Sequence, residues 1–161
     1  MISPKLDART DLLLERVIDV PPDLVWRAWT EPQLLMQWWT PRPWKTVACD
    51  IDLQPGGIFH TVMQSPEGEK FPYTGCYLEI VENRRLVWTF LLGPGYRPAI
   101  WDHPVPVFSA VLDLVPEGRG TRYSAMAMHL DQKGRDIHAE MGFAEGWGTC
   151  ADQLVACVKA L

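Results

Sequence analysis

The chain has 161 residues, with 15 Lys+Arg against 20 Asp+Glu for a formal net charge of −5, and is 47% hydrophobic and 22% charged. That length and composition fit one globular domain with a buried core and exclude disorder, collagen and coiled coil. An acidic balance without a Lys/Arg block argues against nucleic acid and anionic membrane as partners, and no run approaches the ~18 apolar residues of a membrane span.

Residues 1–11 are polar, contain Pro4 and read as a flexible leader; 12–161 read as the single domain. The apolar run Leu12-Leu13-Leu14 is stopped by Glu15, short of signal-peptide length, so no signal peptide is expected and the cytoplasm is the expected compartment. The first strand, 12–20, puts Leu12, Leu14, Arg16, Ile18 and Val20 on one face. Pro21-Pro22 with Asp23 starts a short helix, and Thr30-Glu31-Pro32 stops it and opens a second, QLLMQWW. Period-two patterning then predicts strands near 47–53, 58–64, 73–81, 85–92, 107–115 and 121–130, joined by hairpin turns such as Pro55-Gly56-Gly57. The Pro-rich stretch 93–106 is a loop. From Asp136 to Leu161 the stripe Ile137, Met141, Ala144, Gly148, Ala151, Val155 and Val158 predicts one long helix. Its three glycines, Gly142, Gly146 and Gly148, suggest a close approach to another element or an irregular turn.

The expected fold class is therefore α+β: a curved antiparallel sheet of about six to seven strands wrapped around a long C-terminal helix, with two short helices after the first strand. Such a grip leaves space between sheet and helix, the natural place for a ligand.

The strings WTEPQLLMQWWTP at 29–41, DIDLQPGG at 50–57, TGCYLEIVENRRLVWTF at 74–90 and GWGTCADQLVACV at 146–158 carry a resemblance. The chain resembles the bacterial homologues of the ATPase activator of the heat-shock protein 90 chaperone. That family is similar in fold to the START lipid-transfer domains, the birch pollen allergen and the aromatase/cyclases, grouped as SRPBCC proteins. The resemblance implies a helix-grip fold with an internal hydrophobic cavity. It brings no shared catalytic residue.

Eight tryptophans are unusual for this length, and five of them (Trp26, Trp29, Trp38, Trp39, Trp44) fall close together. Amphipathic indoles line pockets as readily as they fill cores. The expected cavity lining is Trp39, Trp44, Phe59, His60, Tyr73, Trp88, Phe90, Trp101, His103, Met126, Met128, Met141 and Trp147. His60 draws the first interest as a binding or acid–base group, because IFHTVMQ follows the Pro55-Gly56-Gly57 turn in a strand that should face the cavity on one side; by alternation it lies with Ile58 and Val62, opposite Phe59, Thr61 and Met63. His103, beside Trp101 and Asp102, sits on a loop that could overhang a cavity mouth; His129 and His138 lie near strand and helix ends, with solvated or capping roles expected.

No metal site and no cofactor are expected. The sequence has no H-x-H, H-E-x-x-H or C-x-x-C spacing, no G-x-S-x-G, and Pro55-Gly56-Gly57 leads into a strand rather than a helix. Three functions stay open: binding of a small hydrophobic or aromatic molecule; a cyclase- or hydrolase-type enzyme using a group such as His60 or Glu79; and a co-chaperone relying on exposed apolar surface at Trp26 or Trp101. A homodimer is also expected as a possibility.

Overall fold

A computed structural model describes residues 2–161. Strand β1 (Asp11–Ile18) is followed by helices α1 (Pro22–Thr30) and α2 (Pro32–Trp38). Four strands come next: β2 (Lys45–Ile51), β3 (Ile58–Gln64), β4 (Lys70–Val81) and β5 (Arg85–Thr89). Two short strands, β6 (Leu92–Gly93) and β7 (Arg97–Pro98), form a small hairpin inside the Pro-rich loop, ahead of β8 (Phe108–Glu117) and β9 (Gly120–His129). Helices α3 (Gln132–Glu140) and α4 (Phe143–Lys159) close the chain.

The main sheet is antiparallel and seven-stranded, in the order β1-β9-β8-β5-β4-β3-β2. Register shifts at Thr46/Ala48 in β2 and Tyr77/Glu79 in β4 are bulges, which bend a strand and increase its twist. The sheet's inner face carries Leu112, Leu114, Trp88, Phe59 and Tyr123, and α1, α2 and α4 pack over it to bury a single core.

The inner face of β9 is built from small residues where α4 comes close. Ala125 and Ala127 face Ala110 and Leu112 of β8 across the ladder, all buried, and Ala151 of α4 is buried above the sheet. Gly148 has a specific use. Arg16, on the inner face of β1, donates through Nη1 to the Gly148 carbonyl at 3.3 Å and to Asp152 Oδ1 at 2.9 Å. A Cβ on residue 148 would lie 2.7 Å from Arg16 Nη2.

Two expectations are corrected. The segment 136–161 is not one helix: the chain breaks at Met141-Gly142, where Gly142 takes φ 91°, a left-handed conformation that glycine adopts at no steric cost. The leader is not loose either. The side chain of Arg85, 4% exposed, is paired with Asp113 and donates to the Ile2 carbonyl at 2.7 Å and to Ser3 Oγ at 2.9 Å. Ser3, Pro4 and Leu6 thereby lie beside Leu13, Val111 and Met126 on the outer face of the sheet. Among the described residues no helix is long and apolar enough to cross a membrane.

Candidate functional site

The exit from α2 is shaped by indole contacts. Trp38 Nε1 donates to the Ala28 carbonyl at 3.0 Å, and Trp29 stands edge-on to both Trp38 and Trp39, with centroids 4.9 and 5.2 Å away. Beyond α2, Thr40 adopts φ 80°, so its neighbours need external partners. Gln153 of α4 supplies them: its Nε2 donates to the carbonyls of Trp38 and Thr40, both at 2.9 Å, and its Oε1 accepts from the Arg42 amide at 3.0 Å. One side chain thus holds segment 38–42 against the C-terminal helix.

The Pro-rich segment folds back as a second wall. Trp101 Nε1 donates to the Val105 carbonyl at 2.6 Å, closing the loop on itself, while its ring packs on Phe90 (5.0 Å) and Tyr73 (5.7 Å). The break between α3 and α4 forms a third wall through Met141, Gly142, Phe143, Gly146 and Trp147. Together these walls frame a cavity of about 630 Å³ over strands β3, β4, β8 and β9. Its lining is overwhelmingly aromatic and aliphatic; Arg42 is its one fixed charge among the described residues, and no Asp or Glu lines it.

The sequence-predicted residues divide along the strand phase. Trp39, Trp44, Tyr73, Phe90, Trp101, Met141 and Trp147 line this cavity. Phe59 and Trp88 lie in the buried core instead, in an edge-to-face pair at 5.3 Å. His103 does not line the cavity but packs on the wall residues Trp101 (4.4 Å) and Tyr73 (4.6 Å). His60 is turned to the other face of β3 from Phe59 and is hydrogen-bonded to Thr74 Oγ1 at 2.8 Å through Nδ1. Met126 and Met128 face outward as well, because Tyr123, Ala125 and Ala127 occupy the inner face of β9. Phe59, Trp88, His60, His103, Met126 and Met128 therefore drop out of the lining.

Sequence reasoning missed Phe108, Arg42 and, with most consequence, His138, for which a solvated or capping role was expected. It is buried, it lines the cavity, and its Nδ1 lies 2.7 Å from Nε2 of the equally buried His129. His129 Nδ1 in turn lies 2.9 Å from the Thr10 carbonyl. Burial lowers both imidazoles, that of His138 to about 4 with the neighbouring His129 adding to the effect. Asp131 is the signal that could have found the pair. Its side chain accepts from the Gly134 amide at 2.8 Å and starts α3, which returns residue 138 over residue 129.

Two further polar groups on the wall, Tyr123 and Cys150, are neutral. Tyr123, whose hydroxyl accepts from Trp29 Nε1 at 3.2 Å, is held protonated by burial, and burial pushes the Cys150 thiol up to about 11. Cys49 is likewise pushed up to about 11, so neither thiol is a ready nucleophile. Among the described residues no group of three or more His, Cys, Asp or Glu side chains could hold a metal ion.

A seven-stranded antiparallel sheet packed on a C-terminal helix, with two short helices after the first strand, defines a helix-grip domain of the SRPBCC class. Residues 19–159 match the family described as Activator of Hsp90 ATPase homolog 1-like protein, and the chain belongs to it. Among solved structures it is similar to NE0264 from Nitrosomonas europaea, at 51% identity over 96% of this chain and 97% of that one, with a TM-score of 0.91. Ms6760 from Mycobacterium smegmatis shares the fold at 22% identity, over 92% of this chain and 90% of its own, with a TM-score of 0.76. An AHSA1-like protein from Aeromonas hydrophila does so at 20% identity, over 93% and 92%, with a TM-score of 0.69. No curated protein matches the chain.

Proposed function

We propose that this protein binds a small hydrophobic or aromatic molecule in the cavity between its sheet and its C-terminal helices. The observation that carries the reading is the cavity itself: about 630 Å³, walled by Trp39, Trp101, Trp147, Phe90 and Phe108 and free of carboxylates. That volume lies within the range of about 300–1,000 Å³ in which drug-sized ligands are held. Burying apolar ligand surface there gains about 25 cal/mol per Å².

A second reading, an enzyme of the cyclase or hydrolase kind, has one observation in its favour, a perturbed histidine on the cavity wall. The same observation limits it. A general base works best with a pKa near the operating pH, and a group lowered to about 4 is too weak a base to take a proton efficiently at neutral pH. Neither His60 nor Glu79, the groups that the sequence offered for proton transfer, lines the cavity. The co-chaperone reading loses its two markers, since Trp26 is buried and Trp101 is packed into the wall. A cytoplasmic setting and a homodimer go with the proposal: four cysteines without a disulfide support a reducing compartment, and light scattering against the 18.3 kDa monomer mass tests the dimer.

The test is thermal melting with tryptophan fluorescence across fatty acids, flavonoids, steroids and aromatic polyketide-like compounds. A ligand at about 100 times its Kd stabilises the fold by about 2.7 kcal/mol, and the wall tryptophans report its arrival. A saturable response to one chemical class supports the reading. No response to any class overturns it.

A further inference from the structure

We infer that the ligand is a hydroxylated aromatic molecule whose O–H donates a hydrogen bond to Nε2 of His138, a site fixed by a relay that begins at the Thr10 carbonyl. The inference rests on the cavity reading above and adds the chemistry of one wall.

The relay follows from what each atom can do. The Thr10 carbonyl only accepts, so His129 Nδ1, 2.9 Å away, carries a hydrogen. In a neutral imidazole the other nitrogen is then bare, and His129 Nε2 accepts. His138 Nδ1, 2.7 Å from it, must donate. That leaves Nε2 of His138 without a hydrogen, a lone pair on a ring that lines the cavity. A backbone carbonyl thus sets the tautomer of a histidine two links away.

The neutrality on which this depends has a structural cause. Both rings are buried, and a charge on either would face the other at hydrogen-bond distance. The His138 ring is held between Phe108 and Phe143, with both centroids 5.2 Å away. The remaining hydrogen bonds of the pair are internal, and Nε2 of His138 is left for an incoming group.

An apolar ligand filling the cavity would strip Nε2 of any water and leave it unpaired, whereas a ligand with a donor at that point satisfies it. The flat walls of Trp39, Trp147 and Phe108 accept an aromatic ring, with Phe108–Trp147 centroids at 5.9 Å and Trp39–Trp147 at 6.3 Å. Ring surface plus one hydroxyl is the combination that uses both features.

The experiment compares 2-naphthol with 2-methoxynaphthalene, which keeps the rings and lacks the donor, by titration calorimetry on the wild type and on H138F. The expected result is about tenfold tighter binding of 2-naphthol than of 2-methoxynaphthalene to the wild type, with the ratio between the two probes falling to about one in H138F whatever the absolute affinities. Because H138F removes the donor to His129 and could weaken the fold, nitrogen NMR of the wild-type histidines gives a second reading that needs no variant. Nε2 of His138 should resonate as an unprotonated nitrogen and move on addition of 2-naphthol only. Equal binding of the two probes, or an Nε2–H tautomer at His138, overturns the inference and leaves the cavity reading standing. Binding of neither probe overturns the inference, and only silence across the wider panel would take the cavity reading with it.

Discussion

Lowering the pH from 8 to 5 should destabilise this protein through His138. In the unfolded chain a histidine binds its proton near 6.5, whereas the folded protein holds His138 neutral down to about 4. Between those values the unfolded state binds more protons than the folded one, so stability falls as the pH falls. At about 1.4 kcal/mol per pH unit the full effect is about 3 kcal/mol, of which about 2 kcal/mol has been spent by pH 5. Around His129, Asp11 and Asp131 favour a charge and Arg135 opposes it, yet burial dominates and lowers it too, so it acts in the same direction. For a domain of this size about 2 kcal/mol corresponds to a drop of about 4–8 °C in Tm. Urea unfolding and thermal melts at pH 8, 7, 6 and 5 measure it, with H138F as the control whose pH dependence should shrink by more than half. A wild-type Tm that stays level over this range would refute the reasoning, and so would an unchanged slope in H138F.

Two further outcomes follow from the same structure. The hydroxyls of Tyr77 and Tyr123 are both buried, but that of Tyr77 has no partner in the protein while that of Tyr123 accepts from Trp29 Nε1. Y77F should therefore melt at or above the wild-type temperature, and Y123F should lose about 1–3 kcal/mol by orphaning a buried indole N–H; equal melts would contradict this. Gln153 holds three backbone groups of segment 38–42, so Q153A should cost about 2–3 kcal/mol, or about 4–12 °C in Tm, and weaken any ligand that touches Trp39. A Q153A protein that melts like the wild type would show that the segment holds itself.

The order of elements was legible because turn chemistry and period-two alternation are local. Each proline–glycine turn bounds a strand, and the pairs of strands that it joins are neighbours in the sheet. The helix break was only half legible: Gly142 was one of three glycines that suggested an irregular turn, but the three- and four-residue stripe runs on through Met141 and Ala144, and the φ of Gly142 shows which of the three makes the turn. The facing of β9 misled for a packing reason. Met126 and Met128 share one strand face, and adaptable methionines suit a cavity lining, yet α4 approaches so closely that the inner face accepts alanines at 125 and 127. The methionines are pushed to the outer face, and there the leader residues Ser3, Pro4 and Leu6 come to lie beside Met126. A sheet with a cover on both sides has no face that hydrophobicity alone can mark as inner.

The aromatic walls were partly legible for the opposite reason: an indole next to a helix end has few places to go, and Trp39, Trp44 and Trp147 all reach the cavity. The histidine relay was not, because none of its links is local. Thr10 precedes the first strand, His129 ends the last one, and His138 stands on a helix whose start is set by Asp131. Pairing of β1 with β9 brings the first two together, and two turns of α3 bring the third. A base that is buried at neutral pH needs partners from separate elements to fix its tautomer, so its chemistry comes into being only with the tertiary fold. That is why His60, on a strand expected to face the cavity, looked like the better candidate in the sequence, while the group with a perturbed environment was a histidine on a short helix.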